Sequence, residues 1–284
     1  MVHIIILAIV QGLAELLPVS SSAHVIVAEK LMGLNPAAPE MTLLLVMLHT
    51  GTMLAVIVYF WQRWRRAFFS SAPQFRNFAV AIVVATILTG LVGGAITEFV
   101  EKVLMRGEPH AWVEQLFDRL DLIAVALAAA GVFIFVAGLY ENRQRQGAAT
   151  ARLTPAQYCA IGAIQGLCIP FRGFSRSGAT ISTGLLTRVE RASAEDFSFA
   201  LAVVLTPPAA AREIWRLYES QHHHLGGMLP AAMPSLLGVV FAFLAGLVAL
   251  KWISRWLESG RWHFFGIYCL AAAIVIACLH HAGF

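Results

Sequence analysis

Ala8-Ile9-Val10-Gln11-Gly12-Leu13 and Gly162-Ala163-Ile164-Gln165-Gly166-Leu167 are near copies of each other, and together they decide the fold. Each runs on to a proline, Pro18 or Pro170, and then into a polar turn: Val19-Ser20-Ser21-Ser22 in the first case, Phe171-Arg172-Gly173-Phe174-Ser175-Arg176-Ser177 in the second. The apolar stretch 3–17 before the first turn makes a helix of roughly 22 Å at 1.5 Å per residue, short of the roughly 30 Å of hydrocarbon in a bilayer. Ala23 to Met32 forms a second short helix, and the pattern returns at 156–170 and onward to 188. Two short helices around a polar turn read as a re-entrant hairpin, because irregular backbone at membrane depth must line a protein-enclosed cavity. The hairpins are expected at 3–33 and 156–188.

Working outward, the remaining chain is too apolar for a single soluble core. Hydrophobic residues are 59%, charged residues 13% and mean hydropathy +0.74, which places the chain among integral membrane proteins. Long apolar runs without strand-like alternation select helices over a barrel. Spans are expected near 41–61, 76–98 and 121–140, then 196–218, 231–250 and 262–282. Glu141-Asn142-Arg143-Gln144-Arg145 marks the boundary between a first repeat, 1–145, and a second, 146–284. Segment 99–120, with Pro109 and mixed charge, is expected as a surface loop or interfacial helix. The start of the chain reads as retained and not as a signal peptide, since no Lys or Arg precedes Ile4–Val10 and Gln11 and Glu15 interrupt the apolar run. The four cysteines form no CxxC pair and read as buried free thiols.

Three spans per half require the second half to run opposite to the first. Placing 62–75, 141–155, 189–195 and 251–261 in the cytoplasm puts twelve of the twenty Lys and Arg residues there or at the edges, against Lys30, Lys102, Arg106 and Arg119 outside. The expected fold is therefore an all-α polytopic membrane protein. It is an inverted-topology repeat of one re-entrant hairpin plus three transmembrane helices, giving six spans, two hairpins, and tips that meet mid-membrane. The small net charge of +4 belongs to loops and predicts no nucleic-acid partner.

At the second tip, Arg176 stands between Ser175 and Ser177, flanked by Gly173 and Gly178 and followed by Thr180. An intramembrane arginine costs about 3 kcal/mol on insertion scales and calls for an anionic partner. Glycines admit close backbone approach, serines cap helix starts, and a helix start offers free N–H groups to an anion. These features together describe a phosphate cradle; the plainer reading is a capped turn whose arginine pairs with a carboxylate. At the first tip, Gln11 and Glu15 share a helix face. Either they hold a divalent cation, or Glu15 pairs with Arg176 across the tips. Ser20, Ser21 and Ser22 offer nucleophiles or caps, and His24 offers an acid, base or nucleophile.

Gln11-Gly-Leu-Ala-Glu15-Leu-Leu-Pro18-Val-Ser20-Ser21-Ser22-Ala-His24 and Gly173-Phe-Ser175-Arg176-Ser177-Gly178-Ala-Thr180 resemble the two signatures of the undecaprenyl-diphosphate phosphatases. In that family the first reads Glu or Gln-x-x-x-Glu, Pro-Val-Ser-Ser and a nearby His, and the second Pro-Gly-x-Ser-Arg-Ser-Gly-x-Thr. The resemblance covers the whole chain in length and span pattern. It implies a multi-pass bacterial inner-membrane enzyme, with its site open to the periplasm, that dephosphorylates a C55 isoprenyl diphosphate lipid carrier of peptidoglycan synthesis and supports bacitracin resistance. It also implies a divalent cation, Mg or Ca, with Glu15 and Gln11 as its ligands. Glu15, Ser21, His24 and Arg176 then match catalytic positions, and Ser20, Ser22, Gly173, Ser175, Ser177, Gly178 and Thr180 substrate-binding ones. Ser21 or an activated water attacks, His24 handles protons, and Glu15 positions metal or base; His24 as nucleophile stays open. Three positions depart from the family pattern: Gln11 stands where a glutamate is frequent, Ser22 where a threonine is common, and Arg172 where a proline is expected, adding a second cation near the diphosphate.

A transporter of phosphate or an organic anion is the alternative from another class, since inverted repeats with broken helices are transporter-like. A lipid phosphatase of the acid-phosphatase type requires a histidine six residues after the Ser-Arg pair, where this chain has Ser182. His222-His223-His224 reads as a solvated loop, and Arg212, Glu213 and Arg216 as snorkelling side chains. Expected partners are the isoprenyl diphosphate, membrane lipids and a second copy of the chain.

Overall fold

The computed structural model describes residues 1–104, 116, 119–144, 150–220, 225–257 and 261–284. Apart from one isolated bridge between Thr150 and Val189, its elements are helices: α1 Val2–Ala14, α2 Ser21–Leu31, α3 Pro39–Phe68, α4 Ala72–Phe99 with a π-helical end Val100–Leu104, α5 Leu120–Gln144, α6 Pro155–Leu167, α7 Arg176–Leu186, α8 Arg191–Ser220, α9 Leu225–Leu257 and α10 Trp262–His281. Local sequence sets their starts. Prolines occupy the first turns of α3, α4 and α6, where a missing N–H costs nothing. Gln157 reaches back to the Thr154 N–H at 2.7 Å.

Six of these helices are long and apolar enough to cross a membrane, namely α3, α4, α5, α8, α9 and α10. Several outrun the apolar stretches that predicted them. α3 continues through Arg63, Arg65 and Arg66 to Phe68, because arginine is a good helix former and its charge favours a helix C-terminus. The tri-histidine segment at 222–224 and most of the 99–120 connection lie outside the described residues.

Four helices of the first half, α1, α3, α4 and α5, pack against helices of the second. α1 lies on α9 as α6 lies on α4, while α3 meets α9 and α8 and α5 meets α10. This explains the Gln-Gly-Leu echo. A Cβ on Gly12 would sit 2.5 Å from the Ala245 Cβ, and one on Gly166 would sit 2.8 Å from the Thr89 carbonyl oxygen. Each short helix is thus pressed backbone to backbone against a long helix of the other half, at the point just before its turn. Leu127, Ile134, Ile181 and Trp262 pack one core around α7, and Val56, Phe60, Phe197 and Phe199 pack another. Val80, Val83, Ile87 and Leu91 form an exposed apolar stripe on α4, as a lipid-facing helix requires.

Candidate active site

α1 and α6 both end early, and their turns face each other. Pro18, which has no N–H to continue a helix, follows α1, and the chain turns at Ser20 in a left-handed conformation (φ 64°) before α2 begins. A non-glycine residue held there is strained and is found where surrounding structure fixes it. In the second turn Gly173 has φ 102°, and a Cβ there would meet the Ile123 carbonyl oxygen at 2.6 Å. Glycine satisfies both demands. Ser175 then caps α7, accepting the Gly178 N–H at 3.2 Å.

Glu15 is the junction. It is 3% exposed and meets four side chains from four helices. One carboxylate oxygen accepts a hydrogen bond from Arg176 Nη2, joining the two turns. The other accepts the Ser21 hydroxyl at 2.6 Å and the Gln11 amide at 2.8 Å, and lies 3.2 Å from His49 Nε2 on α3. The opposite ring nitrogen, Nδ1, is 2.8 Å from the Leu45 carbonyl, which orients the ring. Arg176 keeps Nη1 buried with no hydrogen-bond partner among the described residues. Behind α7, Thr180 donates to the Arg176 carbonyl at 2.8 Å and lies 2.6 Å from the Ser198 hydroxyl of α8, so the start of α7 is braced.

These groups wall a cavity of about 160 Å³, lined by Glu15, Ser20, Ser21 and Ser22 from the first turn, His49 from α3, and Arg172, Ser175, Arg176 and Ser177 from the second. That is some ten times the roughly 10–15 Å³ that one water needs. An anion here meets a guanidinium, hydroxyls and the free N–H groups of a helix start.

Of the residues singled out in the sequence, Glu15, Ser20, Ser21, Ser22, Ser175, Arg176 and Ser177 come together around this space. Gln11, Gly173, Gly178 and Thr180 stand behind the wall and shape it. His24 goes elsewhere. Its Nδ1 is 2.8 Å from the Ser20 carbonyl and its Nε2 2.8 Å from the Tyr268 hydroxyl of α10, with the two rings stacked. The helical spacing that puts Ser21 and His24 on one side is right for the backbone, but the ring is turned towards α10. His49 was missed, although it is an ionisable side chain inside an apolar span, which is the signal that marked Arg176.

The divalent cation can be tested against this donor set. Glu15 is the only carboxylate in the cavity wall among the described residues, and both of its oxygens are occupied by donors, one of them a guanidinium. Among the described residues no three His, Cys, Asp or Glu side chains cluster as metal ligands. Magnesium is usually held by one or two carboxylates together with waters and substrate phosphates, so Glu15 would hold such an ion only in company with the phosphate oxygens of a bound lipid, and no step below runs through one.

The family described as bacitracin resistance protein BacA matches residues 4–275. The chain belongs to that family. Among curated relatives, undecaprenyl-diphosphatase 2 of Acinetobacter baylyi is 53% identical over 283 residues, covering 98% of both chains. Undecaprenyl-diphosphatase 2 of Burkholderia ambifaria is 32% identical over 95% of this chain and 94% of its own. An undecaprenyl-diphosphatase of Rhodopirellula baltica is 31% identical over 99% and 98%. The family match extends across both turns and into all six long helices, so the cavity belongs to the shared part of the chain.

Proposed function

We propose that this protein is an integral-membrane undecaprenyl-diphosphate phosphatase, converting the diphosphate lipid to its monophosphate and releasing phosphate. Full-length relatives of that name support the activity, and none of those named favours the transporter alternative. The observation that carries the chemistry is Glu15 bonded at once to Ser21 and Arg176 beside a cavity. Such an arrangement supplies nucleophile, proton acceptor and phosphate clamp within one hydrogen-bond radius.

In this reading Arg176 and the N-terminus of α7 hold the terminal phosphate, and Nη1 is the donor still available to it. Ser21 Oγ attacks phosphorus in line while its proton passes to Glu15. The bond from phosphorus to the bridging oxygen breaks, and its electron pair leaves with the isoprenyl monophosphate. Water then attacks the phosphoserine, Glu15 returns its proton to Ser21 Oγ, and the proton lost by water stays on the phosphate product. Charge on the transferring group is met by fixed donors, the main demand of phosphoryl transfer. Gln11 and His49 hold the carboxylate in place. His24 orients the first turn through Ser20 and Tyr268, one step removed from the reacting atoms.

The two turns are read as tips of re-entrant hairpins in an inverted repeat, 1–145 and 146–284, with the cavity open to the periplasm. Paired short helices ending at mid-chain prolines and the asymmetry of basic residues support this.

The test is phosphate release by the detergent-purified chain from isoprenyl diphosphates, without any ion gradient. Ser21→Ala should abolish release while lipid binding survives, and the wild type should trap acid-stable phosphate on serine. Full activity in Ser21→Ala would transfer the attack to water or His24; no release by the wild type would reject the phosphatase.

A further inference from the structure

The cavity has two guanidinium groups in its wall. Arg176 is tied to Glu15, and Arg172, four residues earlier, reaches the same space from the other side of the Gly173 bend. The bend is rigid in the sense that matters here. Its positive φ and the 2.6 Å approach to Ile123 leave no room for any residue but glycine, so the backbone between the two arginines is held in this bend. Glu29 of α2 carries a carboxylate whose charge acts on that of Arg172. Glu29 is 1% exposed, and one of its carboxylate oxygens has no hydrogen-bond partner among the described residues. A five-donor planar fork can meet a protein partner on one edge and a phosphate on another.

Two such forks on one small cavity suit a ligand with two linked anionic centres. A single phosphate needs one fork; a diphosphate offers an oxygen edge on each phosphorus. Among the described residues that line the cavity Glu15 is the carboxylate and is already engaged by Arg176, and Arg172 adds a second positive charge to the wall.

We infer that Arg172 is a second phosphate-binding residue, holding the phosphate that remains on the lipid while Arg176 holds the one that leaves, so that the cavity selects diphosphate over monophosphate head groups. This rests on the phosphatase reading for the direction of the reaction, but the selectivity is a property of binding and can be measured apart from turnover.

The experiment is calorimetric titration of the detergent-purified full chain with farnesyl diphosphate and farnesyl monophosphate in the presence of chelator, for wild type, Arg172→Gln and Arg172→Lys, with phosphate release measured in parallel both in chelator and with added magnesium or calcium. Wild type should prefer the diphosphate, and Arg172→Gln should weaken diphosphate binding about tenfold while moving monophosphate binding by less than about twofold, the size expected for one charge-assisted hydrogen bond. Arg172→Lys should fall between them, as a point charge replaces a fork. Equal weakening of both ligands in Arg172→Gln, or none, overturns the assignment. If that variant does not fold, equal affinity of wild type for the two lipids overturns it on its own. Selective binding by a wild type that releases no phosphate would reject the phosphatase and leave the two-arginine clamp standing.

Discussion

Replacing Glu15 by glutamine puts the whole site under test, because a single carboxylate serves both turns. Glutamine keeps the size but leaves one oxygen where there were two. That oxygen can accept from Arg176 or from Ser21, not from both, and the amide nitrogen presents a donor to whichever is left. Two losses follow and they read out separately. If the oxygen stays with Arg176, Ser21 has no proton acceptor, and the turnover number should fall by about 10²- to 10⁴-fold, the usual contribution of a positioned base. In either orientation Arg176 loses its counter-charge, and if the oxygen turns to Ser21 it loses that hydrogen bond as well; breaking such a pair costs about 3–5 kcal/mol where it is fully buried and less here, since the Arg176 side chain retains 24% exposure. The assay is colorimetric phosphate release under saturating isoprenyl diphosphate, with the thermal midpoint in detergent recorded for each variant. Arg176→Gln and the double variant complete a cycle, and the two single losses should overlap strongly, with a coupling of about 0.5–3 kcal/mol as for side chains in direct contact. A Glu15→Gln enzyme within tenfold of wild-type turnover, or strictly additive losses, would refute the shared-carboxylate mechanism.

His49→Ala removes one neighbour of Glu15, and turnover should drop by about tenfold with little change in KM, the scale of one hydrogen bond to a charged group; His49→Gln, which can still donate, should recover part of it. With both of its oxygens engaged, Glu15 should take up no ion before the lipid arrives, so adding calcium or magnesium, or chelating both, should leave the thermal midpoint of the lipid-free protein unchanged. A rise of several degrees on adding either ion would place a metal site on the protein. In a chain whose four cysteines are replaced, single cysteines at Asn35 and Glu190 should label from opposite faces of the membrane, with Glu190 sharing the face of Ser70. Labelling of Asn35 and Glu190 from one face would defeat the inverted arrangement.

What could be read from the sequence was whatever has a short-range cause. Proline after an apolar run, serine at a helix start and glycine before a cradle are local signals, and the turns at 15–22 and 170–177 follow from them. The Glu15–Arg176 pair was legible only as one of two options, since nothing local says whether a carboxylate meets a metal or an arginine. His49 has no motif around it and gains its meaning from a helix packed on α8 and α9. Tyr268 takes the His24 ring from 244 residues away, a contact that no spacing within the first turn could announce. Helix ends were misjudged where arginine-bearing turns extend α3 past the apolar window, because hydropathy measures the bilayer and not the hydrogen-bond ladder.

The ion pair between Glu15 and Arg176 also sets an order of events in biogenesis. The partners are separated by 161 residues, so a ribosome working at about 5–20 residues per second delivers the arginine roughly ten to thirty seconds after the glutamate. During that interval the first hairpin carries a carboxylate whose counter-charge has not yet been made. Its tip must therefore stay hydrated or be sheltered by the insertion machinery until the second hairpin arrives. The first half made alone would be a natural substrate for membrane quality control, and supplying the second half as a separate chain would be expected to rescue it.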